Sequence, residues 1–309
     1  MNTKSRMPDL TRRGFLSATG ALAMSRAGGA GQTLRLGGPI FLKTDDPAEI
    51  AREHRRLGYR AAYCPKVSLN ETARIQEIQK AFAAQDVIIA EVGAWVNMLD
   101  PDLEKRKANL AYVTERLALA EAIGARNCVD IAGSFHPTQW DGPDPRNYSA
   151  EFYDATVGNC RKVIDAVKPK RAKFTLEMMP WCPPDSPDGY LKLLKAIDRP
   201  AFGVHIDICN IIDTAERFFH NAEVIQECFR KLGRWVVSCH AKDLVGRRVH
   251  LIETIPGRGG IDYRAYLQAI ASLSQAAPLM LEHLSLPEEY DEGRQYILRV
   301  AGEVGISFA

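Results

Sequence analysis

The sequence predicts an α/β fold, a single-domain (β/α)8 TIM barrel, and three observations carry that expectation. Strand-like and helix-like segments alternate eight times from about residue 32 to residue 309, with no linker between them. Eight units in roughly 275 residues is the size and count of a closed barrel. Four successive apolar runs in the second half end on a polar side chain: Glu177 in Lys-Phe-Thr-Leu-Glu, Asp207 in Phe-Gly-Val-His-Ile-Asp, His240 in Trp-Val-Val-Ser-Cys-His and Glu282 in Pro-Leu-Met-Leu-Glu. Polar residues at the C-terminal ends of buried parallel strands are where such a barrel carries its chemistry. No Gly-x-Gly-x-x-Gly loop follows the first strand, as it would in an open dinucleotide-binding sheet.

Taken in order, the first strand spans about 34–41 and is followed by a helix near 47–57. The second pair is 60–64 with 71–84, the third 87–93 with 102–123, and the fourth 127–131 with 149–167. Strands at 173–177, 202–207, 235–240 and 278–282 precede helices near 188–197, 214–231, 263–273 and 288–304. The strands are short and β-prone, and the helices between them force parallel pairing. Ser149, Asp188 and Asp262 are placed to cap helix N-termini, and Pro47 and Pro287 suit a first turn. Gly58, Gly124 and Gly233 fall just past helix ends, where a left-handed cap is expected.

Composition narrows the class. A net charge of +2, with 46% hydrophobic and 25% charged residues, gives no electrostatic case for nucleic acid. No run reaches the roughly 18 apolar residues needed to cross a bilayer. Seven scattered cysteines, without a Cys-x-x-Cys pair, read as buried thiols rather than a disulfide framework. Residues 1–31 read as a leader, leaving 32–309 for the barrel. Thr11-Arg12-Arg13-Gly14-Phe15-Leu16 and the Ala/Gly/Ser stretch after it resemble a twin-arginine export signal. That resemblance implies the twin-arginine translocase as a transient partner and a periplasmic location, with a cytoplasmic one as the alternative. Unpaired thiols sit awkwardly with an oxidising periplasm.

Three carboxylates and one imidazole, without a thiolate, suit a hard or borderline divalent ion. Mn²⁺ is expected first, with Mg²⁺, Co²⁺ and Zn²⁺ as other candidates. One such residue alone would read as a hydrogen-bonded strand cap. Four in register argue for a cation, because burying carboxylates together without one is costly.

With those residues in view, the chain after about Thr33 resembles the xylose isomerase-like barrel proteins, often called sugar phosphate isomerases/epimerases. The resemblance rests on the Leu-Glu that ends strand five, on His-Ile-Asp-Ile-Cys-Asn, on Cys-His-Ala-Lys-Asp, on Leu-Glu-His near the C-terminus and on the Gly-rich segment from Pro256 to Asp262. It implies that Glu177, Asp207, His240 and Glu282 ligate the metal and that Glu177 and Glu282 also transfer protons. The substrate it implies is a sugar or polyol. Such chemistry is sound in itself: chelating a carbonyl and its neighbouring hydroxyl acidifies the C–H between them, and a carboxylate on each side of the substrate removes and returns the proton. The chain departs from the ketose epimerases at Asn210, where their substrate-contacting histidine would stand three residues after the ligand aspartate. It departs again in the segment between His240 and Pro256.

Candidate substrate contacts are Lys242, His250, Glu253, Arg258 and Trp181. Lys242 and Asp243 follow His240 onto the rim, Lys242 to hold a substrate oxygen and Asp243 to orient the loop or a neighbouring cation. Arg258 suits a bidentate anion contact, with plain surface exposure as its bland alternative. Trp181 and Trp140 could stack on a sugar or simply pack. His205 reads as a hydrogen-bonded core histidine, with a fifth polar group near the metal as its alternative, and His283 as pointing away from the interior. Glu91 and Asn97 are placed on the rim after strand three. The leading functional expectation is a metal-dependent isomerase/epimerase acting through an enediolate. An inosose-type dehydratase with the same metal site and a non-catalytic sugar-binding protein are the alternatives, and a homo-oligomer is allowed. An endonuclease fits less well, since such barrels use more histidines and a basic surface.

Overall fold

In the computed structural model, residues 33–309 are described, apart from 249. The expected leader, with Arg12 and Arg13, lies outside them. Seven barrel strands come first: β1 (Leu36–Gly37), β2 (Ala61–Tyr63), β3 (Ile88–Gly93), β4 (Asn127–Asp130), β5 (Lys173–Leu176), β6 (Val204–Ile206) and β7 (Val236–Ala241). A hairpin of β8 (Asp243–Arg247) and β9 (His250–Thr254) then intervenes, so the eighth barrel strand is β10 (Leu279–Leu281). The parallel ladder runs β5-β4-β3-β2-β1-β10-β7-β6, each strand beside its neighbour in sequence. Bridges Phe174↔Phe202 and Glu177↔His205 join β5 to β6 and complete the ring. The expected (β/α)8 barrel is what forms.

Helices α1 (Pro47–Arg56), α2 (Thr72–Ala84), α3 (Leu103–Ile123), α4 (Ala150–Val167), α5 (Pro187–Ile197), α8 (Tyr263–Ala271) and α9 (Pro287–Glu303) match the expected segments within two residues. The expected helix at 214–231 is two, α6 (Ala215–Phe219) and α7 (Asn221–Leu232). His220 leaves helical geometry between them, and the Asn221 amide donates to Phe218 O at 2.7 Å and Gly260 O at 2.8 Å. The break thus ties the helix to the Gly-rich segment. Ser149 and Asp262 cap α4 and α8 as expected. Asp188 does not cap α5; Ser186 does, ahead of Pro187. Gly58 and Gly124 have positive φ, whereas Gly233 (φ −48°) continues into a 3-10 turn.

Apolar faces of the helices pack on the outside of the barrel. Phe174, Phe202 and Tyr190 are fully buried between β5, β6 and α5, each removal from water contributing about 2 kcal/mol. The Tyr190 hydroxyl also accepts from Leu176 N at 3.2 Å and His205 N at 3.4 Å, supporting the β5–β6 join where the ladder is thinnest. Inside, Ala61, Ala90 and Met280 form an apolar plug. Polar residues lie nearer the C-terminal ends of the strands, and there the chemistry begins. All seven cysteines are free thiols, six of them buried, as their apolar flanks suggested. Among the described residues, no helix is long and apolar enough to cross a membrane.

Candidate metal centre

Glu177, Asp207 and Glu282 each stand directly after β5, β6 and β10, and His240 lies in the last turn of pleat of β7. Parallel register then does the assembling: Met280 pairs with His240, and Glu177 bridges to His205. One donor atom from each of the four residues lies within 4.8 Å of the other three, a spacing that one cation can span. His240 Nδ1 faces the cluster, 2.8 Å from Glu282 Oε2, 3.2 Å from Glu177 Oε1 and 3.7 Å from Asp207 Oδ2. Tyr266 from α8 donates to His240 O at 2.8 Å, and Tyr263 to Lys242 O at 2.9 Å, so one helix fixes the end of β7.

Electrostatics fit a divalent ion. Three carboxylates share the site, and the buried ammonium of Lys242 lies 2.7 Å from Asp207 Oδ2 and 2.7 Å from Glu282 Oε1. Subtracting that one positive charge from the three negative ones leaves two, which a divalent cation would neutralise with His240 neutral. Without a cation the balance is kept by protons. Burial pushes the Glu177 carboxyl up to about 8. The His240 imidazole is held well above its ordinary value because Glu282, Glu91 and Glu177 outweigh the burial that opposes them. Burial also opposes ionisation of Asp207, but Lys242 and His240 hold it well below the usual carboxylate range.

A cavity of about 620 Å³ opens over this cluster. Glu177 and Glu282 line it; Asp207 and His240, 0% and 1% exposed, lie beneath. The walls are aromatic: Tyr63, Trp95, Trp140, Trp181 and Tyr290. Trp95 has a left-handed backbone (φ 51°), and its ring centroid is 6.3 Å from that of His240. Gly93 makes this possible, since a Cβ there would lie 2.2 Å from Trp95 Nε1. The turn is held by the buried Asp130, which accepts from Val96 N at 3.0 Å. A larger groove of about 920 Å³, between Asp45–Pro47, Lys66–Leu69 and α3, contains none of the four residues.

The expected substrate contacts divide. Trp181 and Glu253 line the cavity; Lys242, expected on the rim, is instead buried beneath it, 1% exposed, with Nζ 3.1 Å from Glu253 Oε1. Arg258 does not line it: its guanidinium points outward and pairs bidentately with Glu292 at 2.6 Å. His250 also lies away, exposed at the far end of the hairpin opposite Arg247, because β8 and β9 form a paired arm rather than a loop folded over the site. Asp243 organises the loop as expected, accepting from the backbone N–H groups of Leu244, Gly257, Gly259 and Ile261. Gly259 is required there, since a Cβ would lie 2.3 Å from Asp243 Oδ1.

His283 corrects its expectation. It has φ 57°, which swings the ring back to the mouth, 3.0 Å from Glu253 Oε2. Asn210 donates to Glu177 Oε1 at 3.1 Å and to Met178 O at 3.0 Å, orienting that carboxylate. Asn97 is a buried clamp that accepts from Leu99 N and Ser134 N. His205 is buried as expected, its ring edge-on to His240 at 4.1 Å, but neither ring nitrogen makes a hydrogen bond. Glu91 is not on the rim. It lies inside β3, 1% exposed, with Oε2 3.2 Å from His240 Nε2. Burial would raise its carboxyl, but His240, His205 and Ser238 hold it down to about 2. A lone acid within Ile-Ile-Ala-Glu-Val-Gly was the available signal.

Fold and site together define an α/β barrel with a carboxylate-rich cluster, suited to a divalent cation, at the C-terminal ends of its strands. The chain belongs to the xylose isomerase-like TIM barrel family, whose profile matches residues 51–300. No curated protein matches it. Among solved structures, a Mycobacterium smegmatis xylose isomerase-like TIM barrel protein in complex with magnesium superposes with a TM-score of 0.62 at 19% identity, covering 88% of this chain and 98% of that one. An E. coli 3-keto-D-glucoside 4-epimerase gives 0.64 at 13% identity, covering 87% and 100%. A probable 3-DHS dehydratase of Bacillus anthracis gives 0.61 at 13% identity, covering 87% and 98%. At these identities the likeness is one of fold.

Proposed function

We propose that the protein is a divalent-metal-dependent isomerase or epimerase acting on a sugar or polyol through an enediolate. One observation carries this reading: of the four clustered residues, only Glu177 and Glu282 face the cavity, while Asp207 and His240 are sealed beneath it. The two carboxylates available to a substrate come from β5 and β10, on either side of the β6–β7 pair that supplies the other two ligands. A bound cation would polarise a substrate carbonyl and its neighbouring hydroxyl. Glu177 or Glu282 then takes the proton from the carbon between them, and its counterpart returns one from the opposite face. Asn210 keeps Glu177 aimed, and Lys242 keeps Glu282 aimed while contributing positive charge close to where the oxyanion develops. Trp95, Trp140 and Trp181 offer flat apolar faces to the C–H side of a sugar ring. The magnesium complex of the M. smegmatis protein and the epimerase activity in the name of the E. coli one support the reading. In line with the expected leader, we place the protein in the periplasm, acting on an unphosphorylated substrate.

A lyase of the inosose-dehydratase kind is the second reading, favoured by the His283–Glu253 pair at the mouth, a further acid that could protonate a departing hydroxyl. Incubating metal-loaded protein with ketoses and inososes in D₂O separates the cases. Solvent deuterium at an α-carbon with changed stereochemistry indicates the epimerase, and loss of water indicates the lyase. Bound metal with no exchange on any substrate sinks both. Glu282→Gln should keep the metal and lose exchange; retained exchange would remove that residue from proton transfer.

A further inference from the structure

The geometry points to Glu91 as a positioning residue that fixes the tautomer and orientation of His240 from inside the barrel. This rests on the reading of the four-residue cluster as a metal centre. His240 Nδ1 faces Glu177, Asp207 and Glu282. For that nitrogen to offer a lone pair, the ring proton must sit on Nε2, and a buried N–H needs an acceptor. Glu91 Oε2, 3.2 Å from Nε2, is an acceptor in place. The Glu91 carboxylate is itself held, because Ser238, two residues before His240 in β7, donates to its other oxygen. His205 closes the remaining side, with Nδ1 3.4 Å from Glu91 Oε1 and its ring packed edge-on to His240.

Glu91, His205 and His240 also have donor atoms close enough for an ion of their own. The positioning role is the one the packing favours. Glu91, His205 and His240 are 1%, 0% and 1% exposed, and none of them lines the cavity through which an ion or its water ligands would enter. A ligating histidine whose other nitrogen is held by a carboxylate is better oriented and more basic, and losing that partner typically costs 10–100-fold in metal affinity.

Titration of the metal-free full chain with Mn²⁺ by calorimetry, and with Mg²⁺ followed by histidine ¹⁵N NMR, tests this. Wild type should bind one ion per chain with His240 as the Nε2–H tautomer. Glu91→Gln, which keeps an acceptor but not its charge, should bind about tenfold more weakly, and Glu91→Met about a hundredfold more weakly with the Nε2–H signal lost. The melting temperature of the metal-free variants should not follow that order, which separates positioning from general destabilisation. If Glu91→Met does not fold, Glu91→Gln decides alone, and an affinity within twofold of wild type overturns the inference. A second ion in the wild type that Glu91→Gln removes would make Glu91 a ligand and also overturns it. No ion in the wild type is a different failure, that of the metal centre itself.

Discussion

Lys242 Nζ lies 2.7 Å from Glu282 Oε1, although both residues come from the ends of adjacent barrel strands and Lys242 is only 1% exposed. A buried lysine in that position does two things at once. It cancels one of three negative charges, and it fixes the carboxylate proposed to transfer a proton.

Replacing it separates the two effects. Lys242→Met removes a positive charge from the cluster, so a divalent ion should bind as well as before or better. Proton transfer should suffer, because Glu282 loses its partner and the developing oxyanion loses a nearby cation. Exchange in D₂O is expected to fall by about 10²-fold or more, with Mn²⁺ affinity by calorimetry no weaker than in the wild type.

Metal binding should release protons. Glu177 is pushed up to about 8 by burial, and His240 is held above its ordinary value by the surrounding carboxylates, so both carry protons at neutral pH without a cation. An ion must displace them. Affinity should therefore fall as pH drops below about 8, where Glu177 holds its proton. Calorimetry in buffers of different ionisation enthalpy checks this; a binding heat independent of buffer would contradict it.

Asn210→Ala removes the amide that donates to Glu177 Oε1. A hydrogen bond to a charged group contributes about 1.5–3 kcal/mol, so α-proton exchange should slow by roughly tenfold or more. Asn210 also reaches Met178 O, so a fall in melting temperature of a few degrees is expected as well. An unchanged exchange rate would show that Glu177 is oriented without it.

His54 supplies a pH effect remote from the site. It is buried on α1 against Tyr59 and Phe82, and burial holds its imidazole down to about 4. An unfolded chain protonates the same ring near 6.5, so the unfolded state binds more protons between those values. Stability is present above pH 6.5 and is lost as pH falls towards 4, by roughly 3 kcal/mol at most. His54→Phe should flatten that part of the curve in urea melts of the metal-free protein. His205, also held near 4 mainly by burial, leaves a residual slope.

Much of the site was legible in the chain because it obeys a local rule. Glu177, Asp207, His240 and Glu282 end short apolar runs, and a parallel barrel brings the ends of consecutive strands together. Period and order were enough to place them. The hairpin β8–β9 was not legible, since its strands, exposed towards the tip and rich in charge, carry no clean apolar alternation and read as a polar loop. Arg258 and His250 were misplaced for the same reason: composition suggests what a loop residue can bind, but not which way the loop points.

The sequence by itself determined the eight strand–helix units, their parallel pairing and the residues that close the strands, because hydrophobic period and helix-capping chemistry act over a few neighbours. Tertiary structure alone decided that His283 turns back to the mouth, that Lys242 is buried between two carboxylates and that Glu91 meets His240 across the barrel. Those contacts join residues 30 or more apart in the chain, up to 149 for Glu91 and His240. Only ring closure, which sets every strand end at a fixed distance from the others, brings them within hydrogen-bond reach.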